Sequence, residues 1–154
     1  MSTENISLRN MKFPEGCPKI EFYKHPTYCE LVIYLFTKCN LNCAFCFQEH
    51  SADLDMEFIN SIPEKALELL RKDFTEQPTI KQVDIRILGG ELFSDNISDS
   101  YFDEYARVIN TIREQLSKEF PEVQVDFIIT TNGVWKNRDR VINFIETNNF
   151  KKLV

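Results

Sequence analysis

Cys39, Cys43 and Cys46 lie in one short run with the spacing Cys-x3-Cys-x2-Cys. Three thiolates on one tight loop can hold three irons of a [4Fe–4S] cluster and leave the fourth without a protein ligand. A metal site that keeps a coordination position open is built to react rather than to brace a fold. The bland alternative is zinc, because His50 follows Cys46 by four residues and would complete a Cys3His set. Cys17 and Cys29 stand apart from the run, and two isolated thiols read most simply as one buried and one surface cysteine.

The elements that must position the cysteines are readable from periodicity. Residues 31–36 form a continuous apolar segment that predicts a strand buried on both faces, and the cysteine run follows it directly. Ser61-Ile-Pro-Glu64 has the form of a capping box with proline in the first turn, so a helix is expected to begin there and run to Phe74. A second strand is expected over 83–88, running into Gly89-Gly90-Glu91. A helix over 99–120 follows and is stopped by Pro121. A third strand over 123–130 ends in Thr131-Asn132-Gly133, a third helix spans 138–147, and residues 150–154 open a fourth strand. Such alternation implies α/β architecture with a parallel sheet and right-handed crossovers. Ligands of these sheets bind at the carboxyl ends of the strands. The thiols, the Gly-Gly-Glu and the Thr-Asn-Gly all fall there.

With those three motifs in that order, the chain resembles the N-terminal half of a radical S-adenosylmethionine enzyme over about residues 31–154. The resemblance implies a parallel (β/α) partial barrel, cut to about three βα units plus the start of strand four. It implies a [4Fe–4S] cluster on Cys39, Cys43 and Cys46, with S-adenosylmethionine chelating the open iron. Glu91 would accept from the cofactor's ammonium, while Gly89 and Gly90 let backbone approach its methionyl part. Backbone around Phe45 would meet the adenine, and Thr131 and Asn132 would add polar contacts. Reductive cleavage would give a 5′-deoxyadenosyl radical that abstracts hydrogen from a substrate the sequence does not define. An electron donor of the flavodoxin or ferredoxin type is implied as a partner. Many members carry a second cluster, for which Cys17 and Cys29 are the remaining thiols. Leu92 stands where the family commonly has proline. The family's core has six βα units, so the resemblance also implies a fragment or a half completed by a complementing C-terminal half. A half sheet would leave an open edge and one uncovered apolar face.

Composition frames these expectations. At 154 residues the chain suits one domain, with residues 1–30 as an irregular lead-in, either extended or an edge hairpin. Its 43% hydrophobic and 27% charged residues are those of an ordinary globular protein, and thirteen Phe point to a well-filled core. The net charge of −6, without a dense Lys and Arg run, does not favour nucleic acid as a partner. No stretch has the length of a signal peptide or a membrane span, so the expected location is cytoplasmic. In that compartment clustered thiols read as metal ligands before disulfides, and five cysteines is in any case an odd number.

Overall fold

Strand and helix alternate through the chain in the computed structural model, which describes residues 25–36, 38–46 and 55–154. The order is β1 (Tyr28–Tyr34), α1 (Met56–Glu76), β2 (Gln82–Leu88), α2 (Asp99–Glu119), β3 (Gln124–Ile129), α3 (Arg138–Thr147) and β4 (Lys152–Leu153). The four strands pair in parallel in sequence order, β1-β2-β3-β4. The expected α/β class and parallel sheet are therefore observed. No helix among the described residues is long and apolar enough to cross a membrane. The lead-in up to residue 24, with Cys17, and the segment 47–54, with His50, lie outside the described residues.

One face of the sheet carries the core. Val83, Ile85 and Ile87 of β2 alternate into it, as do Phe127 and Ile129 of β3. Helix α1 adds Ile59, Ile62, Ala66, Leu70 and Phe74, and α2 adds Phe102, Val108, Ile109, Ile112 and Leu116 at helical spacing. Strand β1 differs from its expectation. It begins at Tyr28 and is buried on one face only: Ile33 is in the core, but Val32 and Tyr34 are 39% and 42% exposed. Among the described residues it is an edge strand with helices over a single face, and no second layer covers those side chains.

The opposite face is only in part the uncovered apolar surface anticipated for a half sheet: Val32 and Tyr34 are exposed on it, beside Leu88 and Ile128, but the half toward the strand starts is polar. In register across three strands it carries Tyr28, Gln82 and Gln124, then Glu30, Asp84 and Asp126. These groups satisfy one another. Arg86 donates to Glu30 at 3.2 Å, Gln82 to Asp84 at 3.0 Å, Gln124 to Asp126 at 2.7 Å, and Lys151 to Asp126 at 2.6 Å. Because side chains alternate with period two, these residues share one face, and they make that end of it polar.

Helix α1 starts earlier than the capping-box pattern predicted. Asp55 is the N-cap, its carboxylate accepting from the backbone N–H groups of Glu57 and Phe58 at 2.9 and 3.1 Å. Ser61 does not cap; its hydroxyl donates to the Phe58 carbonyl at 2.7 Å. Pro63 sits inside the helix, buried against the core. Two bonds from one carboxylate and an apolar stripe beginning at Ile59 outweigh the missing N–H of Pro63. Asp55→Ala is accordingly expected to cost about 1 kcal/mol in thermal or denaturant unfolding. A variant as stable as the parent would place the helix start elsewhere.

Candidate functional site

The first two rim loops are joined by backbone hydrogen bonds just past the strand ends. Leu35 N–H donates to the Leu88 carbonyl at 3.0 Å, Gly90 N–H to Phe36 at 3.0 Å, and Glu91 N–H to Lys38 at 3.1 Å. Pairing of β1 with β2 thus continues into the cysteine loop and fixes its start against the Gly-Gly-Glu turn. A turn bond from Cys46 N–H to the Cys43 carbonyl, 3.0 Å, shapes the far end of the loop.

Gly89 owes its identity to close packing. A Cβ there would come within 3.0 Å of Leu92 Cδ2 and 3.3 Å of the Phe36 carbonyl oxygen. Leu92, which follows the Gly-Gly-Glu turn, is buried in the core. The turn is therefore held by core burial of Leu92 rather than by a fixed φ.

Phe93 and Trp135 anchor the second and third loops in one aromatic cluster. Their rings meet edge-on at 6.3 Å, and Phe93 also contacts Phe102 and Phe144. Asp95 adds a further link, accepting from the backbone N–H of Lys136 at 3.0 Å at the approach to α3.

A cavity of about 310 Å3 opens where the loops meet, at the small end of ligand-binding cavities. Cys39, Cys43 and Cys46 line it from the first loop, Gly89 and Gly90 from the second, and Thr130, Thr131 and Asn132 from the third. Leu41, Phe45 and Leu88 supply apolar wall, and no charged side chain is among the described residues that line it. Phe45 is 90% exposed, so its ring stands at the mouth. Eight of the nine residues singled out from the sequence thus border one cavity. The ninth is Glu91.

Glu91 is 0% exposed and does not line the cavity. Its Oε1 accepts from Phe93 N–H at 2.9 Å and from the Thr131 hydroxyl at 2.7 Å, and its Oε2 accepts from Asn132 N–H at 2.6 Å. Thr131 is equally engaged, because the same hydroxyl oxygen accepts from Gly133 N–H and Trp135 Nε1–H, both at 3.2 Å. Gly133 has φ +73°, a left-handed turn that glycine adopts without strain. Asn132 reaches back to the cysteine loop: its Nδ2 donates to Asn40 Oδ1 at 2.9 Å and points at Cys39 Sγ at 3.6 Å. Cys39 Sγ also accepts from Leu41 N–H at 3.5 Å.

Thr130 was missed in the sequence. It lines the cavity, and its hydroxyl is buried without a hydrogen-bond partner. Period-two counting from Phe127 and Ile129, which face the core, was the signal that puts Ile128 and Thr130 on the other face.

The donor set fits a thiolate-ligated cluster. Three soft sulfurs share the cavity, with no carboxylate or imidazole among the described residues that line it. Among the described residues, no group of three or more His, Cys, Asp or Glu side chains stands close enough to hold a metal ion. A cluster on these cysteines would require the three sulfurs to draw together in a loop whose start is tied to Glu91 by a backbone bond. Cys29 is elsewhere: it pairs with Val83 at the opposite end of the sheet, and its thiol is pushed up to about 11, chiefly by burial and then by Asp73 and Asp84. Protein-family models, curated proteins and solved structures give no match to the chain.

Proposed function

We propose that this chain binds a [4Fe–4S] cluster through Cys39, Cys43 and Cys46, and S-adenosylmethionine in the adjoining cavity, as a radical S-adenosylmethionine protein. The observation that carries this reading is the meeting of a three-thiol loop with a Gly-Gly-Glu loop and a Thr-Asn-Gly loop around one cavity, at the carboxyl ends of parallel strands. When bound, the cluster and S-adenosylmethionine supply reductive cleavage of a sulfonium C–S bond and a hydrogen-abstracting 5′-deoxyadenosyl radical.

The chain's own residues do the rest. The cysteine loop supplies the three ligands, with Cys39 oriented by Leu41 N–H and the Asn132 carboxamide. Leu41 and Leu88 keep water from the reacting end, and Phe45 at the mouth gives its backbone to the adenine. The Thr130 hydroxyl meets a polar group of the cofactor. A small electron-transfer protein of the flavodoxin or ferredoxin type supplies the electron, and the substrate is undefined.

Anaerobic incubation of the cluster-loaded chain with dithionite and S-adenosylmethionine tests this. Formation of 5′-deoxyadenosine with methionine is expected, and a loaded chain that leaves the cofactor intact would argue against the reading. Thr130→Val gives a sharper test. Losing one neutral hydrogen bond is expected to weaken S-adenosylmethionine binding by roughly 2- to 10-fold. Because the hydroxyl has no partner in the free chain, the same change leaves thermal stability equal or higher. Unchanged affinity would remove Thr130 from the site.

A further inference from the structure

We propose that Glu91 is a positioning residue in this chain: it ties the three rim loops together and sets Asn132 against Cys39, and it does not touch the ligand. The inference rests on the reading above for the ligand's identity, but its geometry stands on the free chain. Glu91 bonds to both neighbouring loops, through its backbone N–H to Lys38 of the cysteine loop and through its carboxylate to Thr131 and Asn132. A carboxylate offers about four lone-pair sites. Three are taken here, and the group has no exposed surface. An ammonium could reach the remaining site only if the packing that buries the carboxylate opened first.

The tie has a direction. Glu91 Oε2 holds the Asn132 backbone, and the Asn132 carboxamide is locked on its other side by accepting Val134 N–H at 2.8 Å. So fixed, its Nδ2 is delivered to Asn40 and to Cys39 Sγ. Asn40 in turn donates to the Val134 carbonyl at 2.6 Å, closing a ring of bonds between the first and third loops. A carboxylate buried behind the rim thereby controls where one of three thiols points. Hydrogen bonds to ligand sulfur are also among the terms that set a cluster's potential.

Two measurements on the full chain decide this. The first is backbone hydrogen exchange of the metal-free protein. Glu91→Gln puts an amide donor among three donors, and exchange is expected to speed up at Phe93 and Asn132 and also across 38–41. Asn132→Ala keeps the carboxylate bonds and removes only the carboxamide, so exchange should rise across 38–41 with Phe93 unchanged. Effects of Glu91→Gln confined to 91–93 and 131–132, or an Asn132→Ala variant with wild-type exchange over 38–41, would overturn the relay. The second is titration of the cluster-loaded chain with S-adenosylmethionine and with the analogue carrying hydrogen in place of the amino group. A positioning role weakens both ligands by the same factor in Glu91→Gln. A penalty seen for S-adenosylmethionine alone would identify a direct ammonium contact and overturn the proposal. A wild-type chain that binds neither ligand counts against the cofactor reading, and hydrogen exchange then decides the role of Glu91 alone.

Discussion

Cys43→Ala is expected to abolish iron binding while leaving the fold intact. Two remaining thiolates cannot hold three irons, so iron content after anaerobic loading should fall to background and the visible absorption should disappear. Cys43 is a half-exposed loop residue outside the core cluster. Its replacement should therefore change unfolding free energy by no more than about 0.5 kcal/mol. Cys29→Ala makes the opposite pair of results. Cys29 packs against the core from β1, and burial pushes its thiol further above neutral pH, so stability should drop by roughly 1 kcal/mol with iron content unchanged. A Cys43→Ala chain that loads iron like the wild type would remove the cysteine loop from the account.

Glu91→Ala should be the most destabilising single change at the rim, in metal-free protein and without any ligand present. It strands the N–H groups of Phe93 and Asn132 and the hydroxyl of Thr131 around an emptied site. A buried donor left unsatisfied, as Phe93 N–H would be, costs about 1–3 kcal/mol, and the part-buried donors of Thr131 and Asn132 cost less each. A loss of about 3–5 kcal/mol follows if part of that cost is relieved by relaxation, against a total stability of roughly 5–15 kcal/mol. At about 2–4 °C per kcal/mol for a chain of this size, the melting temperature should fall by roughly 10 °C. Glu91→Gln keeps the volume and should fall between the two. Wild-type stability in Glu91→Ala would mean that the loops are held by their strands alone.

The parts of the fold that sequence alone revealed are those with a strong period. Alternation in β2 and the helical stripes of α2 and α3 place these elements within a residue or so of where they lie. The start of α1 was misread because two cap signals compete, and the geometry of the Asp55 carboxylate decides between them. The apolar run in β1 hid an edge strand, since Val32 and Tyr34 look like core residues until the side without helices is known. At the site, motif spacing brought the right loops together. It could not tell which polar groups there were already engaged. Glu91 and Thr131 bond to each other across forty residues of sequence, and only the packing of the loops reveals that Thr130, one position earlier, is the hydroxyl left without a partner.

The central claim is that the rim thiols hold a cluster with an open iron that accepts S-adenosylmethionine. Electron paramagnetic resonance of the iron- and sulfide-loaded, dithionite-reduced chain, with and without the cofactor, tests it most directly. The account predicts the signal of a reduced [4Fe–4S] cluster that changes on adding S-adenosylmethionine. A colourless zinc protein without a signal, or a cluster signal that the cofactor does not move, would contradict it.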